Sequence, residues 1–165
     1  MRRMTASLAL AALLTAAACS PKAETGAGPV ATTAAAMPEF KTEIEMKDLM
    51  AHVVDPAAWG IWHNQGAFYD DTGEHELYPT TDEGWTAAES SAMTLAEVSN
   101  LLLLPGRPVD DDKRWVEYAH GMHDASMKAQ KAALARDKQA FFDAGGEIYT
   151  FCTACHSHYV IGDAK

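Results

Sequence analysis

The sequence has few cysteines, few basic residues and little sign of β-structure. Its 165 residues include three cysteines, which are too few for a disulfide-stabilised scaffold. Lysine and arginine total 13 against 23 acidic residues, and the formal net charge is −10. Because nucleic-acid binding needs a basic face, this balance argues against a nucleic-acid partner. The length and the 48% hydrophobic content suffice for one domain with a core.

An apolar run from Leu8 to Ala18 is shorter than the roughly 20 residues that span a bilayer. It follows Arg2 and Arg3 and ends in alanines, a pattern typical of a secretory signal peptide. We therefore expect residues 1–19 to be a signal peptide, with cleavage before Cys19. Cys19 follows small residues and resembles the acylated cysteine of bacterial lipoproteins, although Ala16 replaces the usual leucine. The alternative is a soluble exported protein whose signal ends near the alanines.

Residues 20–40 lack an apolar period and have the composition of a flexible linker. With an acylated Cys19, this linker would tether the domain of residues 41–165 to a membrane in the periplasm. Loss of Arg2 and Arg3 would leave 11 basic residues against 23 acidic ones, a net charge of −12. Anionic lipid headgroups repel such a charge, so membrane association should depend on the lipid at Cys19.

The remaining sequence predicts an all-α domain of four amphipathic helices. Short connections favour an antiparallel four-helix bundle, and Pro56 predicts a kink in the first helix. Residues 64–80 are long for a bundle connection and are a candidate for a small substructure or functional loop. No segment alternates at period two for long enough to predict a strand. The predicted helix starts are Thr42, Thr81 or Asp82, the acidic run Asp110 to Asp112, and Asp137.

The five residues from Cys152 to His156, Cys-Thr-Ala-Cys-His, are the attachment motif for c-type haem. The two thiols form thioether bonds with the haem vinyl groups, and the histidine supplies an axial ligand to iron. Cysteines three residues apart lie on one face of a helix, as the two vinyl groups require. The motif therefore predicts one covalent haem c, bound by Cys152 and Cys155, with His156 on the iron.

Two other uses of these side chains compete with haem. A redox disulfide of the thioredoxin kind would need a strand before the motif, and the sequence predicts a helix there. A zinc site could use Cys152, Cys155, His156 and His158. Those four positions lie too close together on one helix to enclose a tetrahedral ion easily.

The residues from Cys152 to Tyr159 follow the pattern Cys-x-x-Cys-His-x-x-Tyr. With the Gly145–Tyr149 segment before it, this stretch resembles the class II c-type cytochromes, the cytochrome c-prime family. The resemblance covers the chain from about residue 42. It implies a four-helix bundle with haem attached to the last helix, and it implies a possible homodimer.

The sixth iron ligand is expected on the first helix. In an antiparallel bundle, the start of that helix lies beside the end of the last helix, which carries His156. The resemblance implies a distal residue on the first helix and a methionine in the low-spin branch of the family. Met50 is the candidate ligand and Met46 the reserve. Alternatively, both methionines fill the core.

The predicted function is that of a periplasmic single-electron carrier, not an enzyme, since no nucleophile or acid–base pair is evident. Its acidic charge predicts redox partner proteins with basic surfaces. The alternatives are a high-spin haem protein that binds nitric oxide or carbon monoxide, and an exported bundle without haem. Expected haem-pocket walls are Leu101, Leu102, Trp115 and Tyr118, and expected propionate partners are Arg107 and Lys47.

Overall fold

The computed structural model describes residues 38–109 and 112–161, with the side chains of residues 160 and 161 excepted. The predicted signal peptide, Cys19 and the predicted linker up to residue 37 lie outside the described residues. So do Asp110 and Asp111, the first two residues of the acidic run.

The described residues are mostly helical, as predicted. α1 (Met46–Leu49), a π-helical turn (Met50–Val54) and α2 (Asp55–Trp62) follow one another without a break and form the first helical run. The other elements are β1 (Ala67–Asp70), β2 (Gly73–Glu76), α3 (Asp82–Leu101), α4 (Lys113–Ala135), α5 (Lys138–His156) and a second π-helical turn (Ser157–Ile161).

The first helical run begins four residues later than predicted, and its distortion lies just before Pro56. Proline has no N–H to donate, and its ring clashes with the carbonyl four residues earlier in an α-helix, which here is that of His52. The chain instead forms a π turn, in which the amide of Asp55 donates to the carbonyl of Met50. The wider turn accommodates Pro56 at the start of α2.

Side-chain caps start the three long helices at the predicted positions. Thr81 Oγ1 accepts from the amide of Gly84 at 3.1 Å and caps α3. Asp112 caps α4 and Asp137 caps α5, each with a carboxylate oxygen 3.0 Å from a backbone amide. Each bond satisfies an amide that has no partner within the helix.

Contacts between side chains show that α4 runs antiparallel to both α3 and α5. Near the start of α4, Trp115 Nε1 donates to the carbonyl of Leu102, while farther along Gln130 donates to Glu89 of α3. Likewise Gly121 lies against Phe151, and Lys128 pairs with Glu147 of α5 at 2.6 Å. Residue numbers therefore rise along α4 as they fall along both neighbours.

The expectation that no segment forms a strand was wrong. Residues 67–76 form an antiparallel hairpin, with Ala67 opposite Glu76 and Asp70 opposite Gly73. Its turn is built by Asp70, whose carboxylate accepts from the amide and hydroxyl of Thr72, and by Gly73 at a φ of 126°. Turn chemistry, rather than a long alternating pattern, specifies these short strands.

The core contains many small residues, and at three helical glycines an added Cβ would lie within 2.3 Å of the nearest side chain. A Cβ at Gly60 would lie 2.1 Å from Ser91 Oγ, and one at Gly121 would lie 2.2 Å from the Phe151 ring. A Cβ at Gly145 would meet the Gln65 amide at 2.3 Å. Among the described residues, no helix combines the length and apolarity needed to cross a membrane.

Candidate functional site

An apolar cavity of about 330 Å³ lies between the first helical run, the end of α3, the start of α4 and the last turns of α5. Close-packed interiors seldom leave such a space, and ligand pockets begin at about this volume. Its lining residues are Met50, Val54, Asp55, Ala58, Trp62, Leu102, Trp115, Tyr118, Ala119, Met122, Tyr149, Phe151, Cys152, Thr153, Cys155, His156 and Ser157.

The first helical run contributes one face to the cavity. Met50, Val54, Ala58 and Trp62 recur every four residues and all line it. Met50 is half-buried and is the first residue of the π turn. Met46 packs against the core but does not line the cavity, so the structure separates the two candidate methionines.

The last turns of α5 place the Cys152–His156 motif in the lining of the same cavity. Cys152, Cys155 and His156 all line the cavity, and neither cysteine is in a disulfide bond. Both cysteines are half-buried, whereas His156 is exposed to solvent on one side. Two thiols and an imidazole therefore share one apolar space with the thioether sulfur of Met50.

The environment of the thiols does not suit a reactive thiolate. Burial, with added repulsion from Cys155 and Asp55, raises the pKa of Cys152 to about 11. Burial also raises the pKa of Cys155. Redox-active cysteines need a lowered pKa to be nucleophilic at neutral pH, so these shifts argue against a thioredoxin-like disulfide.

Asp112 links the start of α4 to the residues that follow the motif. Its carboxylate contacts the Arg114 guanidinium at 2.8 Å and lies 3.4 Å from Nε2 of His158. Hydrogen bonds from the side chain and the amide of Arg114 hold the pKa of Asp112 well below its usual value. Half-buried His158 therefore faces this carboxylate rather than open solvent.

Tyr159 closes the same end of the helices with aromatic contacts. Its ring lies edge-on to Trp115 at a centroid distance of 5.1 Å, and Tyr118 is 6.4 Å away. Burial, reinforced by the nearby Asp112 carboxylate, raises the pKa of Tyr159 to about 12. The aromatic position that follows Cys-x-x-Cys-His by three residues thus anchors the end of the motif to α4.

Three of the four predicted pocket walls line the cavity, and neither predicted propionate partner does. Leu102, Trp115 and Tyr118 line the cavity, but Leu101 does not: it is 37% exposed on the outer face of α3. Arg107 is half-buried outside the cavity lining, and its Nε is buried without a hydrogen-bond partner among the described residues. Lys47 is exposed.

A zinc site gains no support from the side-chain positions. Within residues 38–109 and 112–161, no three His, Cys, Asp or Glu side chains are grouped so that they could hold a metal ion. Haem iron needs no such group, because the porphyrin supplies four nitrogens and the protein only the axial ligands. The motif's donor set therefore fits haem better than a bare ion.

Several residues that line the cavity are not among those predicted from the sequence. Trp62, Asp55, Tyr149 and Phe151 belong to the lining, and Trp62 Nε1 also donates to the carbonyl of Gly145 at 3.0 Å. The four-residue recurrence of Met50, Val54, Ala58 and Trp62 carried the signal for Trp62. Nothing in the local pattern distinguishes the others from ordinary surface or core residues.

No family model, no curated protein and no solved structure matches the chain.

Proposed function

We propose that this protein is a haem c-binding electron carrier of the class II cytochrome type, in which the four helical runs form an antiparallel four-helix bundle. The observation that carries the proposal is the shared cavity: Cys152, Cys155, His156 and Met50 all line one apolar space. Cys152 and Cys155 would hold the haem, and His156 would ligate its iron. Bound there, haem would supply a one-electron ferrous–ferric couple.

The protein's own residues set the surroundings of that group. Val54, Ala58 and Ala119 give the cavity apolar walls, which limit the access of water. Met50 lines the same cavity as the motif, and its thioether, as a ligand, would raise the reduction potential of a c-type centre. No general acid or base is required, since electron transfer at such a centre makes and breaks no bond in the protein.

The covalent cofactor is tested by producing the protein in a host with c-type maturation machinery. The intact mass should increase by one haem, and the reduced pyridine complex should show the spectrum of haem attached by two thioethers. Cys152→Ser with Cys155→Ser should abolish the added mass, whereas Cys19→Ala, which changes the remaining cysteine, should keep it. Wild-type protein without covalent haem would reject the proposal.

The sixth ligand is tested with the two methionines. Met50→Ala should abolish the far-red charge-transfer band of sulfur-ligated ferric haem and produce a high-spin spectrum. Met46→Ala is the matched control and should keep the band. If the wild type is already high-spin and binds carbon monoxide when reduced, the function is gas binding rather than electron transfer.

Export and membrane attachment complete the proposal. The signal-like segment of residues 1–19 and Cys19 support a periplasmic lipoprotein, and covalent haem attachment belongs to the same side of the membrane. Labelled palmitate should be incorporated into wild-type protein and not into Cys19→Ala. An unlabelled wild type would leave a soluble periplasmic carrier.

A further inference from the structure

A chain of edge-on contacts between Trp59, Trp62 and Tyr149 connects the cavity to the outer surface between α2 and α5. Tyr149 of α5 lies edge-on to Trp62 of α2 at a centroid distance of 6.0 Å, and Trp62 lies edge-on to Trp59 at 5.9 Å. Phe142 lies two turns before Tyr149 on the same side of α5. We call Trp59, Trp62, Phe142 and Tyr149 the aromatic face.

The outer members of this face are unusually exposed for their size. Trp59 is 49% exposed, Phe142 47% and Tyr149 59%. Single exposed apolar residues are common, but a contiguous group is typical of an interaction surface. Tryptophan and tyrosine are also the residues most enriched among those that carry binding energy at protein interfaces.

The aromatic face is continuous with the cavity. Trp62 and Tyr149 line the cavity together with Cys152, while Trp59 lies outside the lining. A protein bound to Trp59 and Tyr149 would therefore contact side chains that extend, one against the next, to the attachment motif. Weak, transient electron-transfer complexes have small contact surfaces, so a surface of a few aromatic side chains is sufficient.

The charge around this face favours one kind of partner. α2 contains no lysine or arginine, and α5 contains only Lys138, at its first residue. Asp55 precedes Trp59 by one turn, and Asp143 follows Phe142 directly; both are exposed. His63 lies against Trp59 at a centroid distance of 4.4 Å, but neither helix places a lysine or arginine beside that tryptophan. An apolar surface flanked by Asp55 and Asp143 complements a basic rim, whose attraction would speed encounter.

We propose that the aromatic face is the docking surface for a basic electron-transfer protein, with Trp59 as its central contact. The inference rests on the proposed function, because it assigns the contact surface of that same site. In the complex, one electron leaves the reduced protein and enters the oxidised one. No proton or other atom is transferred.

Binding is measured first, because it does not depend on electron flow. Haem-loaded protein and a lysine-rich class I cytochrome c, both oxidised, are titrated at low ionic strength by calorimetry. Trp59→Ser should weaken the association about tenfold, the factor equivalent to ~1.4 kcal/mol. Asp143→Lys should also weaken it, and added salt should weaken the wild-type complex.

Three controls test whether the effects are specific to the aromatic face. Leu134→Ser changes a side chain that is 66% exposed on α4 and should leave the affinity unchanged. The same probe with succinylated lysines should not bind the wild type. Stopped-flow electron transfer to the lysine-rich probe should slow in Trp59→Ser, while transfer to the small hexaammineruthenium ion should not.

Failure of this inference is distinct from failure of the proposed function. An unchanged haem spectrum with equal affinities for wild type, Trp59→Ser and Leu134→Ser would reject the docking surface and leave the electron carrier intact. Analytical ultracentrifugation tests the alternative that the aromatic face binds a second copy of the chain. Self-association of the wild type that Trp59→Ser abolishes would assign the face to that dimer and overturn the proposal. Loss of haem from the wild type would reject both proposals.

Discussion

The two ends of the helical body are packed in opposite ways. Where α4 ends and α5 begins, the buried residues are mostly alanines, with Phe141 and Trp85 between them at a centroid distance of 5.7 Å. We call this the alanine end; it comprises Trp85, Ala88, Ala129, Ala132, Ala133, Phe141 and Ala144. At the other end, the cavity end, larger residues such as Leu102, Trp115 and Met122 surround about 330 Å³ of space.

This difference shows that residue size does not determine how full an interior is. Alanines allow helices to approach closely, and a few aromatic rings then fill the remaining gaps. At the cavity end, Trp115 and Tyr159 are instead fixed along one edge by contacts with each other and with the Leu102 carbonyl. Large side chains that pack at the periphery leave the centre open, which is the arrangement a cofactor site requires.

The largest expected effect is the loss of a ring from the alanine end. Phe141 is 0% exposed, so Phe141→Ala should lower the free energy of unfolding by about 3–5 kcal/mol. Met122→Ala removes a side chain that already borders open space and makes fewer contacts on that side. Its loss in the haem-free protein should therefore be smaller.

Urea unfolding of both variants, with and without haem, checks this difference. Under the proposed function, bound haem should enlarge the effect of Met122→Ala and leave that of Phe141→Ala unchanged, because of the two only Met122 lines the cavity. Equal losses in the haem-free protein would show that both ends are equally close-packed.

The glycines give a second, smaller test. In Gly60→Ala, the new methyl group would meet Ser91 Cβ at 2.7 Å, close to the α3 backbone, and should cost about 1–3 kcal/mol. In Gly121→Ala it would meet the Phe151 ring, which borders the cavity and has space to move. This variant should cost less stability but should alter the haem spectrum, whereas Gly60→Ala should not.

Gly146→Ala is the matched control within α5. A Cβ there has nothing within 4 Å, so the variant should gain up to about 1 kcal/mol from the helix propensity of alanine. Denaturant midpoints of the three variants rank these effects. If Gly60→Ala and Gly121→Ala change the spectrum of the proposed haem equally, the displaced Phe151 ring does not act on the cavity separately from the rest of the structure.

The helices could be predicted because their signals are local. The cap residues Thr81, Asp112 and Asp137 and the apolar periodicity specify where the long helices begin, and the structure agrees with each. The hairpin at residues 67–76 was missed because each strand has four residues, too few for a period of two to be recognised. Its determinants are the Asp70–Thr72 turn and Gly73.

The candidate site was predicted best where its residues are consecutive in the sequence, while the expected bundle topology also identified Leu102, Trp115 and Tyr118 as lining residues. Cys152, Cys155 and His156 stand together in the sequence, whereas Trp62 and Tyr149 reach the cavity through contacts between distant helices. Met50 and Met46 have equivalent positions in the apolar pattern. The resemblance alone favoured Met50 over Met46, and the folded backbone adds that Met50 lines the cavity whereas Met46 does not.

A third comparison is between the helix caps at the two ends. Asp137→Ala removes the cap of α5 at the alanine end and should cost about 0.5–2 kcal/mol at neutral pH. Asp112→Ala should destabilise the protein more, because Asp112 caps α4 and also contacts Arg114 and His158. Asparagine can also cap a helix, so Asp112→Asn measures the contribution of the charge separately from that of the cap.

The pH dependence of stability tests that charge. Because hydrogen bonds from Arg114 depress the pKa of Asp112 in the folded protein, its stabilisation is complete above the ordinary aspartate pKa and is lost as pH falls toward the depressed value. Asp112→Asn should therefore be less stable than wild type at neutral pH and lose less stability below about pH 5. Urea midpoints across this range measure both slopes, and parallel slopes would mean that the Asp112 charge does not stabilise the cavity end.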